Sequence, residues 1–125
     1  MREADVVQTV RKHIESQFPK TCPACRRIFP TLADYLRSTV HVGDPVSYDA
    51  ELKDWMPMRP LGTFSLAICP CGSTMSITSK GIGLFTMWRL LRWSRAEAAR
   101  QGTTTRTVLA RLRRKIDQQV LDEAA

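Results

Sequence analysis

Histidine is scarce in this chain: 125 residues contain two, His13 and His41. There is no H-E-x-x-H pair, no G-x-S-x-G elbow and no glycine-rich phosphate loop ending in its lysine. Lys80-Gly81-Ile82-Gly83 is a turn, too short and wrongly ordered to cradle phosphate. Metalloprotease, serine-hydrolase and nucleotide-hydrolase chemistry therefore lack their usual residues, and no enzyme and no small-molecule substrate are expected. Uninterrupted apolar runs stop after a few residues, as in Leu66-Ala67-Ile68-Cys69, whereas a membrane crossing needs about 20. Met1 to Asp5 lead into a charged amphipathic segment without an apolar stretch, so neither a secretory leader nor a membrane contact is expected. No C-x-x-C-H is present to attach haem.

Acidic residues are sparse between Lys80 and Asp117. The net charge is +7, and the excess is local. From Lys80 to Asp117 ten bases, eight of them Arg, face only Glu97 and Asp117. Arginine offers a planar fork suited to phosphate and carboxylate, so this stretch suits nucleic acid or an acidic protein surface. Arginine is also a good helix former, and a solvated helix face would use the same composition.

What is present reads as one domain over residues 1–125, with a metal-binding lobe over about 20–80 and a helical pair over about 85–122. Val6, Val7, Val10, Ile14 and Phe18 form a stripe at helical period, predicting a helix over residues 3–18 that Pro19 ends. His13 falls beside that stripe, as a partly exposed helix residue. Thr31 reads as the N-cap of a short helix that buries Leu32, Tyr35 and Leu36 and ends near Ser38 or Thr39. Residues 40–61 read as a long irregular loop, with Val46-Ser47-Tyr48 a short strand and Trp55-Met56-Pro57-Met58 an apolar contact or anchor. Residues 63–69 and 73–78 read as a β-hairpin, the second strand alternating Met75 and Ile77 with polar neighbours. A helix follows from about Thr86, with Met87, Leu90, Leu91, Ser94 and Ala98 inward. Gly102 breaks it, and a capping run, Thr103-Thr104-Thr105, leads into the last helix. That helix runs from about Arg106 to Leu121, with Val108, Leu109, Leu112, Ile116 and Val120 inward. The expected class is α+β: an N-terminal helix, a metal-knuckle lobe with a hairpin, and a C-terminal helical pair.

The four cysteines fall into two close pairs, Cys22-x2-Cys25 and Cys69-x-Cys71, with 43 residues between them. A tight turn is the simplest way to aim two thiolates at one ion, and two such turns complete a tetrahedron. Zinc is the expected ion; iron takes the same ligands, and His41, after the short helix, is an alternative to one thiolate. Nothing marks the chain as exported, which argues against disulfides. Cys22-Pro23-Ala24-Cys25 has the spacing of a redox dithiol, but not the strand-then-helix setting of one.

The C-x2-C knuckle, the hairpin tip with its second pair, and the prolines and Gly72 in the turns resemble zinc-ribbon modules over residues 20–80. The second pair is one residue tighter than the common spacing, which leaves the subfamily open. The resemblance implies a structural zinc on Cys22, Cys25, Cys69 and Cys71, and a role in binding nucleic acid or protein. Residues 94–115 in turn resemble a helix-turn-helix, with Ala98-Ala99, Gly102 at the turn and an Arg- and Thr-rich second helix. They depart from that pattern by one residue before Gly102 and lack the apolar residue after it, so a plain helical hairpin stays open.

The resulting expectation is a cytoplasmic bacterial regulator that binds DNA or RNA through Arg106, Arg111, Arg114 and Lys115. The alternatives are an adaptor that binds protein, or a second copy of itself, through the long loop and helical pair, and a thiol redox sensor.

Overall fold

The computed structural model describes residues 2–42, 46–47, 62–79 and 81–125. Among them the element order is α1 (Glu3–Glu15), β1 (Lys20–Thr21), β2 (Ile28–Phe29), α2 (Leu32–Ser38), β3 (Val40–His41), β4 (Val46–Ser47), β5 (Gly62–Ile68), β6 (Thr74–Thr78), α3 (Leu84–Gln101) and α4 (Thr105–Ala124). The class is α+β, as the periodicities indicate.

The apolar stripe of α1 buries Val6, Val7, Val10 and Ile14. Its helix ends at Glu15, earlier than Pro19 requires. Gln17 and Phe18 N–H groups then turn back to the Ile14 and Glu15 carbonyls at 3.1 Å each, so Phe18 reaches the core from a turn rather than from the helix. Thr31 caps α2 by accepting the Asp34 N–H at 3.3 Å, and its hydroxyl donates to the Asp34 carboxylate at 2.9 Å. That exchange serves in place of the Glu or Gln of a capping box.

β5 is the centre of the main sheet. β6 pairs with it in an antiparallel register from Thr63↔Thr78 to Ile68↔Thr74, with a register shift between Thr63 and Ser65. β3 and β4 share the opposite edge, through Val40↔Ile68 and Val46↔Thr63. The expected loop over 40–61 thus begins with two short strands. Val40-His41 escaped the sequence reading because two residues carry no period. Trp55-Met56-Pro57-Met58 lies outside the described residues. A second, two-stranded sheet, Lys20↔Phe29 and Thr21↔Ile28, closes the first cysteine turn.

One core cluster joins these parts. Phe29 and Phe18 each meet Tyr35 edge to face, at 5.7 and 5.6 Å. Cys22 and Cys69 lie in the same cluster as Val6, Ile77, Leu90 and Ile116. α4 packs against α1, α2, α3 and β4, so it is the central helix rather than a peripheral one. Val108, Leu109, Ala110, Leu112, Ile116 and Val120 fill its buried side.

The turn between α3 and α4 is a Schellman closure. Thr103 N–H reaches the Ala98 carbonyl at 2.9 Å and Gly102 N–H reaches Ala99 at 3.3 Å, with Gly102 left-handed at φ 65°. Thr104 then caps α4 by accepting the Thr107 N–H at 3.2 Å. Gly102→Ala meets no steric neighbour, yet it forces an L side chain into the left-handed region. Net of the entropy removed from the unfolded chain, it is expected to cost about 1 kcal/mol. Thr104→Ala is expected to cost about 1 kcal/mol because the cap is removed. Urea denaturation of the two variants measures both, and an unchanged midpoint for Gly102→Ala contradicts the closure.

Candidate metal centre

Each cysteine pair sits where a short antiparallel ladder turns. In the first turn Cys22 N–H donates to the Arg27 carbonyl at 2.9 Å, and Arg26 N–H donates to the Cys22 carbonyl at 3.0 Å. In the second, Cys69 N–H donates to the Ser73 carbonyl at 2.9 Å and Gly72 N–H to the Cys69 carbonyl at 2.8 Å. The residue after the second cysteine is left-handed in both, Arg26 at φ 67° and Gly72 at φ 92°. The two knuckles therefore reverse the chain in the same way despite their different lengths. Glycine supplies that conformation without strain at 72; at 26 an arginine accepts it, at a cost of roughly 1–2 kcal/mol.

The turns bring the four sulfurs together. Cys22 Sγ lies 3.7 Å from Cys71 Sγ, and Cys25 Sγ lies 3.7 Å from Cys69 Sγ. All four sulfurs lie within 4.8 Å of one another. A metal–sulfur bond of about 2.3 Å sets a tetrahedral edge of roughly 3.8 Å, so the shorter separations match one ion held by four thiolates. A cluster of several irons would spread the sulfurs beyond a single-ion edge. The arrangement could hold one metal ion. All four cysteines are free thiols, Cys22 and Cys69 buried, Cys25 and Cys71 exposed.

Backbone amides face the sulfurs. The N–H of Cys25, with that of Ala24, donates to Cys22 and lowers its pKa against the opposing effect of burial. The Ser73 hydroxyl and N–H donate to Cys71, whose pKa is lowered to about 6. At Cys69 the N–H of Cys71 also lowers the pKa, but burial and the neighbouring thiols outweigh it and push the value up to about 12. Hydrogen bonds to the charged form thus prepare the site for anionic sulfur, and crowding holds the last proton on Cys69. A cation among the sulfurs would replace that crowding with attraction.

His41 lies outside this group. It is exposed on β3, where its Nε2 accepts from the Arg113 guanidinium. His13 is half-buried on α1, its Nε2 3.1 Å from the Thr78 carbonyl.

The residues expected on the basic face are divided among different tasks. Arg111 donates to Glu3 Oε1 and to Gln101 Oε1, both at 2.6 Å, and Lys115 pairs with the other Glu3 oxygen. These contacts tie α4 to the first turn of α1. Glu3 is held below the usual carboxylate range, first by the Lys115 hydrogen bond and then by Arg111, against burial. Arg106 and Arg114 are exposed on α4. Arg113, which is not among the expected binding residues, is turned inward to Asp117 at 3.2 Å. The missed signal was Glu3 itself, whose partners lie more than a hundred positions away.

Comparison of the chain with known protein families, with curated proteins and with solved structures finds no match. Among the described residues no helix is long and apolar enough to cross a membrane.

Purified protein is expected to carry about one equivalent of metal, because two pairs complete one tetrahedron. Cys25→Ser is the informative variant. Its exposed side chain contributes little packing, so loss of metal and of the hairpin lobe's folding would report coordination alone. Protons compete with metal for thiolate. The folded-state pKa of Cys71 is depressed from 9.0 to about 6, so the thiolate-dependent stability is full above the free-thiol value, partly present at neutral pH and gone once pH has fallen through about 6. A chromophoric indicator is expected to show metal retained at pH 7 and released on acidification. Absence of metal, with four thiols titrating freely in the folded protein, would sink the assignment.

Proposed function

We propose that the protein is a zinc-stapled nucleic-acid-binding module without catalytic activity of its own. Zinc fits the donor set because four thiolates in a closed tetrahedron are its usual structural site. Four protein ligands leave no position for water or substrate, which supports a structural role for the metal and argues against a hydrolase.

The observation that carries the nucleic-acid reading is the exposed arginine on the helical pair. Arg89, Arg92 and Arg95 on α3, and Arg106 and Arg114 on α4, all face solvent. α3 and α4 together carry nine bases against four acids, Glu97, Asp117, Asp122 and Glu123. The local field is therefore positive, and guanidinium groups suit phosphate oxygens. The Schellman turn before Thr104 supports the helix-turn-helix resemblance, although α4 offers only its exposed N-terminal and outer residues to a groove. Arg111 and Lys115 support binding indirectly, by anchoring α4 to α1 through Glu3.

The adaptor reading differs in one measurable respect. A phosphate-binding face releases counterions, so the logarithm of the affinity for heparin or duplex DNA falls linearly with the logarithm of salt. Replacing Arg106 and Arg114 with Ala is expected to lower that slope by nearly 0.9 for each phosphate that is no longer neutralised, with the fold intact. Glu3→Gln instead is expected to change stability by no more than about 1 kcal/mol, since the pairs it breaks are partly exposed, and to leave the slope in place. No retention at low salt would reject nucleic acid. Retention absent together with a dimer on gel filtration would favour the adaptor.

A further inference from the structure

The N-terminal half of α3 turns its outer face to solvent with an unusual composition. Phe85 is 68% exposed, Leu84 51% and Trp88 42%, while Met87, Leu90 and Leu91 on the inner face are buried. Phe85, Trp88, Arg89 and Arg92 fall at i, i+3, i+4 and i+7, which is one continuous stripe. The Phe85 and Trp88 rings stack at 6.3 Å with their planes 28° apart. The Arg89 guanidinium lies over Phe85 at 5.6 Å, and that of Arg92 over Trp88 at 5.3 Å. Open clefts of about 380 and 170 Å³ flank Trp88. Arg89, Arg92, Trp93 and Ala96 complete the larger, and Leu91, Arg92 and Arg95 the smaller.

Charge and shape narrow what this stripe can take. A second copy would bring four guanidinium groups into one interface with no acid on the stripe to offset them, so net positive charge would oppose self-association. A duplex would offer phosphates to the arginines but keep its base faces stacked, leaving Phe85 and Trp88 nothing to stack on. A single strand offers both at once, flat base faces and a phosphate at each step. We propose that the Phe85–Arg92 stripe of α3 binds single-stranded nucleic acid, with bases taking the places of the Arg89 and Arg92 guanidinium groups over Phe85 and Trp88 as those groups swing out to the phosphates. The seven helical steps from Phe85 to Arg92 span roughly 10 Å, which accommodates roughly two or three stacked bases. Stacking reads any base face, so the site is sequence-tolerant. The inference rests on the nucleic-acid reading and narrows it to one strand form and one face.

The test is fluorescence anisotropy with the full, zinc-loaded chain, using a labelled ten-nucleotide oligothymidine and a duplex of the same length at matched salt. The single strand is expected to bind more tightly. Trp88→Ala is expected to weaken single-strand binding roughly tenfold while leaving duplex binding and the melting temperature unchanged. Trp88→Phe is expected to restore most of the affinity, since a flat ring remains. Arg89→Gln and Arg92→Gln are each expected to flatten the single-strand salt slope by roughly 0.7. Duplex binding that equals or exceeds single-strand binding, and does not respond to Trp88→Ala, overturns this inference and leaves the nucleic-acid reading standing. Binding to neither form overturns both. Retention on phosphatidylserine vesicles or polyglutamate, without binding to either oligonucleotide, assigns the face to another partner and overturns both as well.

Discussion

Two cysteine turns separated by 43 residues of chain place four sulfurs within 4.8 Å of one another, and much of the architecture follows from that meeting. The first turn is closed by strands of two residues each, which cannot be stable alone. The second caps a hairpin whose inner face offers Met75 and Ile77 to the core. Joining them at one ion would fix the small ladder against the main sheet and carry Phe29 and Tyr35 into the same core as the helices. In a chain of this length, with so modest a core, coordination energy is folding energy. The amides aimed at Cys22 and Cys71 show that the backbone is arranged for anionic sulfur.

The helical half is held by a different device. α4 is buried along one side by Val108, Leu112, Ile116 and Val120, and is fixed along another by long-range polar contacts. Glu3 takes both Arg111 and Lys115, Arg11 takes Glu123, and Arg37 donates to the Ala124 carbonyl at 3.0 Å. Each such exposed contact is weak on its own. Together they set the direction in which α4 lies over α1 and α2. They also divide the chain's arginines into those that hold the fold and those that shape its surface.

That division gives the proposed function its form. Arg89, Arg92 and Arg95 lie exposed on α3, the first two beside two exposed aromatic rings, and the helix beneath them is anchored by Met87, Leu90, Leu91 and Ala98. A rigid helix presenting flat rings and guanidinium groups is suited to a ligand that is both flat and anionic. In that proposal a metal held by four thiolates would contribute rigidity rather than chemistry.

The sequence by itself determined the local elements and the identity of the candidate sulfur ligands. Helical periodicity named the inward residues of α1, α3 and α4. Thr31 announced the cap of α2, and the threonine run at 103–105 that of α4. The pairing of the cysteines named the candidate metal ligands before any distance was known. These signals are local, carried within a turn or two of chain. Tertiary structure alone decided the rest. Val40-His41 becomes a strand only because β5 offers it an edge, and α1 stops at Glu15 because Phe18 is drawn into the core beside Tyr35. Arg111, Arg114 and Lys115 are near neighbours on one helix, and nothing in their spacing separates them. Glu3, at the other end of the chain, does so by claiming two of the three, because a carboxylate partner is chosen by distance in space and not by distance in sequence.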